Sequence, residues 1–154
     1  VFIAGNHDFI AEKDPELFRS LIPSNIHYLE DSMVEIEGLK IWGSPITPWF
    51  YNWAFNRQRG PEIRAYWKAI PTETDILITH GPPAGILDRV EDGTEVGCED
   101  LREELRRIKP KLHVFGHIHE AYGQMEAEGT LYVNASSVNL RYNPVNEPIL
   151  ISLD

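Results

Sequence analysis

Short apolar runs end in polar turns at three places along the chain, and this pattern predicts buried strands. Residues 1–4, 75–78 and 112–115 are four-residue runs composed mainly of aliphatic and aromatic side chains, and glycine or a turn follows each. Such runs, which lack polar alternation, are typical of central strands covered on both faces of a sheet. We therefore expect all three inside one largely parallel sheet.

The rest of the chain alternates between strand and helix signals. Proline or acidic residues at the start and a proline beyond the end predict helices at residues 16–21, 61–69 and 99–109. Alternating or β-branched runs predict further strands at residues 26–29, 33–36, 39–42, 122–126, 131–134 and 149–153. Strands that alternate with helices and then predominate indicate an α/β fold, and we expect a single domain over residues 1–154.

Histidine and asparagine side chains follow the three predicted central strands. Asn6 comes after the first, His80 after the second, and His117 and His119 after the third. Parallel strands bring their carboxyl ends to one edge of a sheet, so these side chains are expected to lie together. Imidazole nitrogen and amide oxygen suit borderline cations such as Mn²⁺, Fe²⁺ and Zn²⁺. The pattern therefore predicts a metal site.

Each of these segments, taken alone, also fits a polar turn with an exposed histidine. The metal site is favoured because all three occur in one order at three predicted strand ends. Structural roles are expected for His27 and His113, which fall inside predicted strands. The Asn134-Ala135-Ser136 run is formally a glycosylation sequon, but we expect it to form a turn near the site.

Composition narrows the class of protein. The chain has 154 residues, 42% of them apolar, which is enough for one folded domain. A formal net charge of −10 disfavours a nucleic-acid partner, since a long phosphate backbone is normally bound by a basic face. Cys98 is the single cysteine, so an internal disulfide is excluded. No run reaches membrane-spanning length and no signal-peptide pattern is present, so we expect a cytoplasmic protein without a membrane partner.

An aromatic segment without clear periodicity covers residues 43–60. In a functional interpretation, a nucleobase or aryl leaving group stacks against a wall formed by Trp49, Phe50, Tyr51 or Trp53, with Arg57 or Arg59 near the phosphate. In a structural interpretation, these aromatic side chains seal the core beneath a long loop. The sequence leaves both interpretations open.

The three motifs together resemble those of a known family. Gly-Asn-His-Asp at residues 5–8, Thr-His-Gly-Pro-Pro at 79–83 and Gly-His-Ile-His at 116–119 resemble the calcineurin-like metallophosphoesterases. The aromatic run at 43–50, together with residues 79–83 and 111–120, resembles their metallophosphoesterase-domain-containing (MPPED-type) branch. The resemblance implies a four-layer α-β-β-α sandwich, in which helices flank two mixed sheets. It also implies phosphoester hydrolysis at two divalent metal ions, of which Mn²⁺ is expected first and Fe, Zn or Mg are alternatives.

The resemblance also assigns roles to individual residues. Asn6, His80 and His117 would bind one metal ion, and His119 would bind the other. His7 would face the substrate and protonate the leaving oxygen, with Asp8 orienting it.

Two motifs of the family have no counterpart before residue 5: an Asp-x-His segment and a Gly-Asp segment. On this basis we expect the chain to be the carboxyl-terminal part of a longer enzyme, without its amino-terminal strands. It would be weakly active or inactive alone and would need the missing segment or a partner chain to complete the site.

The expected function is hydrolysis of small phosphodiesters, such as cyclic nucleotides, a substrate class that the MPPED-type resemblance supplies. Two alternatives remain open. One is a phosphoprotein phosphatase, and the other is a regulatory module that binds a phosphate or nucleotide without turnover.

Overall fold

The computed structural model describes residues 1–153. Four α-helices, one short 3₁₀ helix and eight strands make up its regular structure within that range. In chain order they are α1 Phe9–Lys13, α2 Pro15–Ser20, β1 Ser32–Ile36, β2 Leu39–Ser44, β3 Thr47–Pro48, β4 Asn56–Arg57, α3 Pro61–Lys68, β5 Ile76–Thr79, α4 Glu99–Ile108, β6 Leu112–Phe115, the 3₁₀ helix His119–Ala121, β7 Gly123–Ala127 and β8 Thr130–Asn134.

Six of the strands form one mixed sheet, in the order β1-β2-β5-β6-β8-β7. The four central strands run parallel, and the outer strands β1 and β7 are antiparallel to their neighbours. β3 and β4 form a separate two-stranded parallel pair. The mixed α/β class expected from the sequence is confirmed, and the carboxyl ends of β2, β5, β6 and β8 lie at one edge of the large sheet.

One face of this sheet is covered by helices and carries the core. A register row crosses it from Trp42 through Leu77 and His113 to Tyr132, and all four side chains are buried. Apolar side chains of α3 and α4 belong to the same core cluster, among them Trp67 and others on both helices. Full burial of a large apolar side chain stabilises the fold by about 1.5–3 kcal/mol, so this layer fixes the position of the strand ends.

A buried carboxylate connects the two helices of the layer. Asp100, 5% exposed, accepts hydrogen bonds from the Gly60 N–H at 2.8 Å and from Arg64 Nη2 at 2.7 Å. Gly60 is the residue before α3 and has a φ of +89°, a conformation that glycine adopts without strain. Asp100 therefore joins the start of α4 to the start of α3.

Most predicted elements are confirmed to within two residues at each end, and β6 coincides with the predicted residues 112–115. Three predicted strands are wrong. Residues 1–4 and 26–29 share only one parallel bridge, between Phe2 and Tyr28, and residues 149–153 form no ladder. The short helix α1 was not predicted, because five residues are too few to establish a helical period.

Among residues 1–153, no helix combines the length and the apolar character that a membrane span requires.

Candidate functional site

The predicted metal-binding side chains line one cavity at the carboxyl edge of the sheet. The cavity has a volume of about 390 Å³. Its lining residues are Asn6, His7, Phe50, Trp53, His80, His117, His119, Ala135, Ser136, Ser137, Val138 and Tyr142. Segments far apart in sequence therefore converge, as expected for strand ends of a parallel sheet.

Asn6 and His80 form the innermost contact of the site. Asn6 Oδ1 lies 3.0 Å from His80 Nε2, and the Asn6 backbone N–H donates to the same nitrogen at 3.3 Å. Asn6 is buried and His80 partly buried. In the tautomer that leaves Nε2 unprotonated, the Asn6 oxygen and Nε2 are two acceptors 3.0 Å apart. A cation bound to both would stabilise this arrangement in place of the long backbone hydrogen bond.

Gly5 allows the close approach of these two segments. A Cβ atom at position 5 would lie 2.8 Å from Cε1 and 2.9 Å from Nδ1 of His80. These distances are shorter than real carbon contacts, so the imidazole fits against the chain only because residue 5 has no side chain. This explains the glycine of the Gly-Asn-His-Asp motif in physical terms.

His117 occupies a strained turn after β6. Its φ is +69°, and the Ile118 N–H donates to the Gly116 carbonyl at 2.8 Å across a three-residue turn. The Gly116 N–H donates to the His80 carbonyl at 3.0 Å, and the imidazole centroids of His80 and His117 are 4.6 Å apart. Positive φ at a non-glycine residue persists where surrounding contacts enforce it, commonly at functional sites.

A buried hydrogen-bond chain supports the His80 turn from below. The Thr79 hydroxyl donates to the Gly81 carbonyl at 2.8 Å, so its oxygen is free to accept from His113 Nε2, also at 2.8 Å. His113 is fully buried in β6. The structural role expected for His113 is thus a hydrogen bond that fixes the turn carrying His80.

The Asn134-Ala135-Ser136 run supports the other histidine turn. Asn134 is fully buried, and its side-chain amide donates to the Ile118 carbonyl at 2.8 Å and to the Leu87 carbonyl at 3.2 Å. Its Oδ1 accepts from the Ser136 hydroxyl at 2.8 Å. Asn134 is the last residue of β8 and Ala135 is exposed, while the Ser136 N–H donates back to Asn134 Oδ1 at 3.1 Å. The sequon thus closes a short turn beside the site, as predicted.

Burial keeps the inner histidines neutral. It lowers the pKa of His80 to about 3, with smaller contributions from the nearby His117, His7 and His119. Burial also lowers the pKa of His117, which the neighbouring His119 lowers further. A neutral imidazole has a free lone pair, which is the form that binds a metal.

The donor set fits one cation better than two. Asn6, His80 and His117 offer an amide oxygen and two neutral imidazoles, and ligands bound at about 2.0–2.1 Å to one cation lie roughly 3 Å apart, close to the observed Asn6–His80 distance of 3.0 Å. A second cation finds only His119 in the cavity. No carboxylate lines the cavity, and residues 1–153 contain no group of three His, Cys, Asp or Glu side chains arranged to hold a metal.

His7 lies at the exposed rim of the cavity and packs against an aromatic ring. The centroids of His7 and Trp53 are 4.4 Å apart, with an angle of 50° between the rings. The expected contact between Asp8 and the His7 imidazole is absent from the hydrogen bonds of residues 1–153. Asp8 Oδ2 instead accepts from the Gly5 N–H at 2.7 Å, so the carboxylate closes the turn that carries both Asn6 and His7.

Some residues of the aromatic segment at 43–60 pack in the core, and others line the cavity. Phe55 is buried in the core, whereas Trp53 lines the cavity. Trp49 is exposed and does not line the cavity. Arg57 lies outside the cavity because other partners hold its guanidinium: Nε donates to the Tyr66 hydroxyl at 2.9 Å and Nη1 donates to Glu12 at 3.2 Å. Of Trp49, Trp53 and Arg57, only Trp53 lines the cavity, and Phe50 of the predicted aromatic wall lines it too.

Tyr142 is the aromatic site residue that sequence reasoning missed, and Ser137 and Val138 of the same cavity were not predicted either. Its ring centroid lies 5.5 Å from that of His119 and 6.4 Å from that of His7, both at 84°. It belongs to a turn after β8 that has neither strand nor helix periodicity. The asparagines at positions 139, 143 and 146 were the only local signal for an ordered turn.

Comparison with known proteins agrees with this geometry. The family model described as "Calcineurin-like phosphoesterase" matches residues 1–121. "Metallophosphoesterase domain-containing protein 1" of Homo sapiens is 43% identical over 177 residues, covering 99% of this chain and 54% of that protein. A UPF0046 protein of Caenorhabditis elegans is 40% identical over 84% of this chain and 33% of its own length. The chain thus spans about half the length of the human relative and a third of that of the worm protein.

A solved structure supports the fold independently. It superposes with a TM-score of 0.64 at 20% sequence identity and covers 87% of this chain and 56% of that structure. At this identity the likeness concerns the fold alone. The matched family model and the 43% identity to the human relative go further: the chain belongs to the calcineurin-like phosphoesterase family.

Proposed function

We propose that this chain carries part of the active site of a metal-dependent hydrolase of small phosphoesters, with phosphodiesters such as cyclic nucleotides as the substrate class and Mn²⁺ as the preferred ion. The observation that carries the proposal is the convergence of Asn6, His80, His117 and His119 with the exposed His7 in one cavity. A volume of about 390 Å³ lies in the range of small-ligand sites.

The charge of the cavity favours binding of an anionic ligand only when a cation is bound there. The chain has a formal net charge of −10 and, among residues 1–153, no lysine or arginine lines the cavity, so a phosphate would otherwise find little attraction. A bound divalent ion would supply positive charge that holds and polarises the phosphate oxygens. Asn6, His80 and His117 would keep that ion at the floor of the cavity.

In this proposal His7 acts on the leaving group. It is exposed at the rim of the cavity, and its imidazole would donate a proton to the ester oxygen that leaves. Trp53 packs against the ring and restricts its orientation. With a single set of three metal donors in the cavity, we expect this chain to turn over diesters slowly.

A second function, a module that binds phosphate or nucleotide without hydrolysis, is favoured by one specific observation. Among residues 1–153 no carboxylate lines the cavity, so this part of the chain offers no anionic group to bridge two cations. Such a module would bind one metal ion and a phosphate ligand and would release no product.

Calorimetric titration with Mn²⁺, combined with hydrolysis of bis(4-nitrophenyl) phosphate, tests the proposal. We expect one Mn²⁺ per chain, loss of binding in His80→Ala, and a turnover at least about 100-fold lower in His7→Ala with Mn²⁺ binding retained. His27→Ala is the matched control, since His27 is exposed and does not line the cavity.

The outcomes separate the two functions. Metal-dependent turnover that His7→Ala leaves unchanged would contradict the catalytic role of His7. Binding of Mn²⁺ and nucleotide without any product would support the binding module instead.

A further inference from the structure

We infer that Tyr142 is a specificity-determining residue that selects phosphoesters carrying a flat aromatic group near the leaving oxygen. Together with Phe50 and Trp53 it forms what we call the aromatic rim of the cavity. The inference rests on the proposed function, because it assigns the substrate group that lies beside His7.

The aromatic rim comes from two separate parts of the chain. Phe50 and Trp53 belong to the segment between β3 and β4, whereas Tyr142 belongs to the turn after β8. Trp53 and Tyr142 both pack against His7, with centroid distances of 4.4 and 6.4 Å. A group bonded to the oxygen that His7 protonates would therefore lie within reach of both rings.

Tyr142 is more exposed than packing alone would explain. Its side chain is 66% exposed, although it is aromatic and touches two histidines of the site. Its φ is +59°, a conformation that is uncommon and costly for a bulky residue. An exposed aromatic side chain on a strained backbone adds little to the core, so its placement over the cavity requires another explanation.

Hydrogen bonds hold the turn in this conformation. The Tyr142 N–H donates to the Asn139 carbonyl at 2.8 Å, and the Asn139 side-chain oxygen accepts from the N–H groups of Arg141 and Asn143 at 2.9 and 3.1 Å. Asn146 Nδ2 donates to the Ser136 carbonyl at 2.7 Å and ties the turn to the buried sequon run. The ring is thus presented by an ordered turn, which lowers the entropy lost when a ligand binds.

The chemistry of the rim favours a planar group. Aromatic rings attract one another in edge-to-face or offset arrangements, and each such contact strengthens binding by a few-fold to about tenfold beyond area burial. An alkyl ester would bury less surface and would lack the ring contacts. The rim therefore discriminates aryl or nucleobase-bearing esters from alkyl esters, while the metal donors below recognise only the phosphate.

The test compares two ligands that share an anion. Phenylphosphonate and methylphosphonate are titrated calorimetrically into the Mn²⁺-loaded wild-type chain and into Tyr142→Ala, Tyr142→Leu and Tyr142→Phe variants. We expect the wild type and Tyr142→Phe to bind phenylphosphonate about tenfold more tightly than methylphosphonate. In Tyr142→Ala and Tyr142→Leu this ratio should fall toward one, while methylphosphonate affinity is unchanged. Leu140→Ala is the control, because Leu140 is half-exposed in the same turn and does not line the cavity.

An unchanged ratio in Tyr142→Ala and Tyr142→Leu, or no preference in the wild type, would overturn the inference. Tyr142→Leu keeps a branched apolar side chain without a ring, so a folding defect in the alanine variant does not decide the result. Failure of the proposed function is separately visible. Selective phosphonate binding without diester turnover would exclude hydrolysis and support the aromatic rim. Turnover without selectivity would support hydrolysis and overturn the role of Tyr142.

Discussion

At the scale of single residues, the site depends on Gly5 because this residue has no side chain. Gly5 leaves the space in which the His80 imidazole lies, and no positive φ is involved. The glycine is needed because of its neighbour rather than because of its own backbone conformation. A substitution at this position therefore acts on the metal donors directly.

We predict that Gly5→Ala displaces His80 and lowers Mn²⁺ affinity by about tenfold or more, because the new Cβ would lie 2.8 Å from the imidazole. Gly81→Ala is the matched control, since a Cβ there would meet its nearest neighbours at an ordinary 3.8 Å. Titration calorimetry of both variants makes the measurement. Equal affinities would show that the imidazole moves aside without cost.

Residues with chemical function were easier to predict than those that support them. Asn6, His80, His117 and His119 were identified because rare polar residues followed apolar runs, and the cavity contains all four. Their assignment as ligands stays a prediction until a metal is measured. Asp8 and Arg57 were assigned to partners that they do not contact, because a sequence does not show which of several nearby groups a flexible charged side chain will bind.

At the scale of elements, a buried carboxylate stabilises the helical layer together with apolar packing. Asp100 is 5% exposed and binds both the first residue before α3 and a side chain of that helix. Arg64 is about half-exposed, so solvent weakens its share of the interaction. The backbone hydrogen bond from Gly60 is the better protected part.

Replacing Asp100 by alanine is expected to destabilise the fold by about 2 kcal/mol, because a buried N–H and a guanidinium lose their acceptor. Glu103→Ala serves as control: Glu103 pairs with Arg106 on the same helix, but both side chains are more than half exposed. Its removal should change the free energy of unfolding by less than about 0.5 kcal/mol. Urea denaturation of the two variants gives both values, and similar losses would refute the argument from burial.

Strand prediction succeeded where neighbouring strands were available and failed where they were not. Residues 112–115 and 1–4 have nearly the same apolar pattern, yet only the first forms a strand, flanked by β5 and β8. Residues 1–4 meet a single partner residue, Tyr28. Apolar periodicity reports the tendency to be buried, whereas a ladder also requires a second chain segment, which local sequence does not specify.

At the scale of the whole molecule, buried neutral histidine couples stability to pH. Burial lowers the pKa of His113 to about 3, and its Nδ1 has no hydrogen-bond partner among residues 1–153. In the unfolded chain the same group titrates near 6.5. The unfolded state therefore binds more protons between these values, so the contribution to stability is complete above pH 6.5 and declines as pH falls toward 3.

We predict that His113 alone accounts for about 2 kcal/mol of lost unfolding free energy between pH 7.5 and pH 5. His113→Gln removes the titration and keeps a donor toward Thr79, so its stability should decline less over the same interval. Chemical denaturation at the two pH values measures the difference between the slopes. Parallel declines in the wild type and the variant would show that His113 is not responsible.

The burial of Asn134 has a consequence for any host that adds glycans to secreted proteins. The amide nitrogen that a sugar would occupy already donates to two carbonyl groups in the folded chain, and no part of the residue reaches solvent. An oligosaccharide can be attached only before this turn forms, and a chain that carries one cannot then close it. The fraction of chains that carry a glycan at Asn134 would thus measure how often the glycosyl transferase acts before the chain folds.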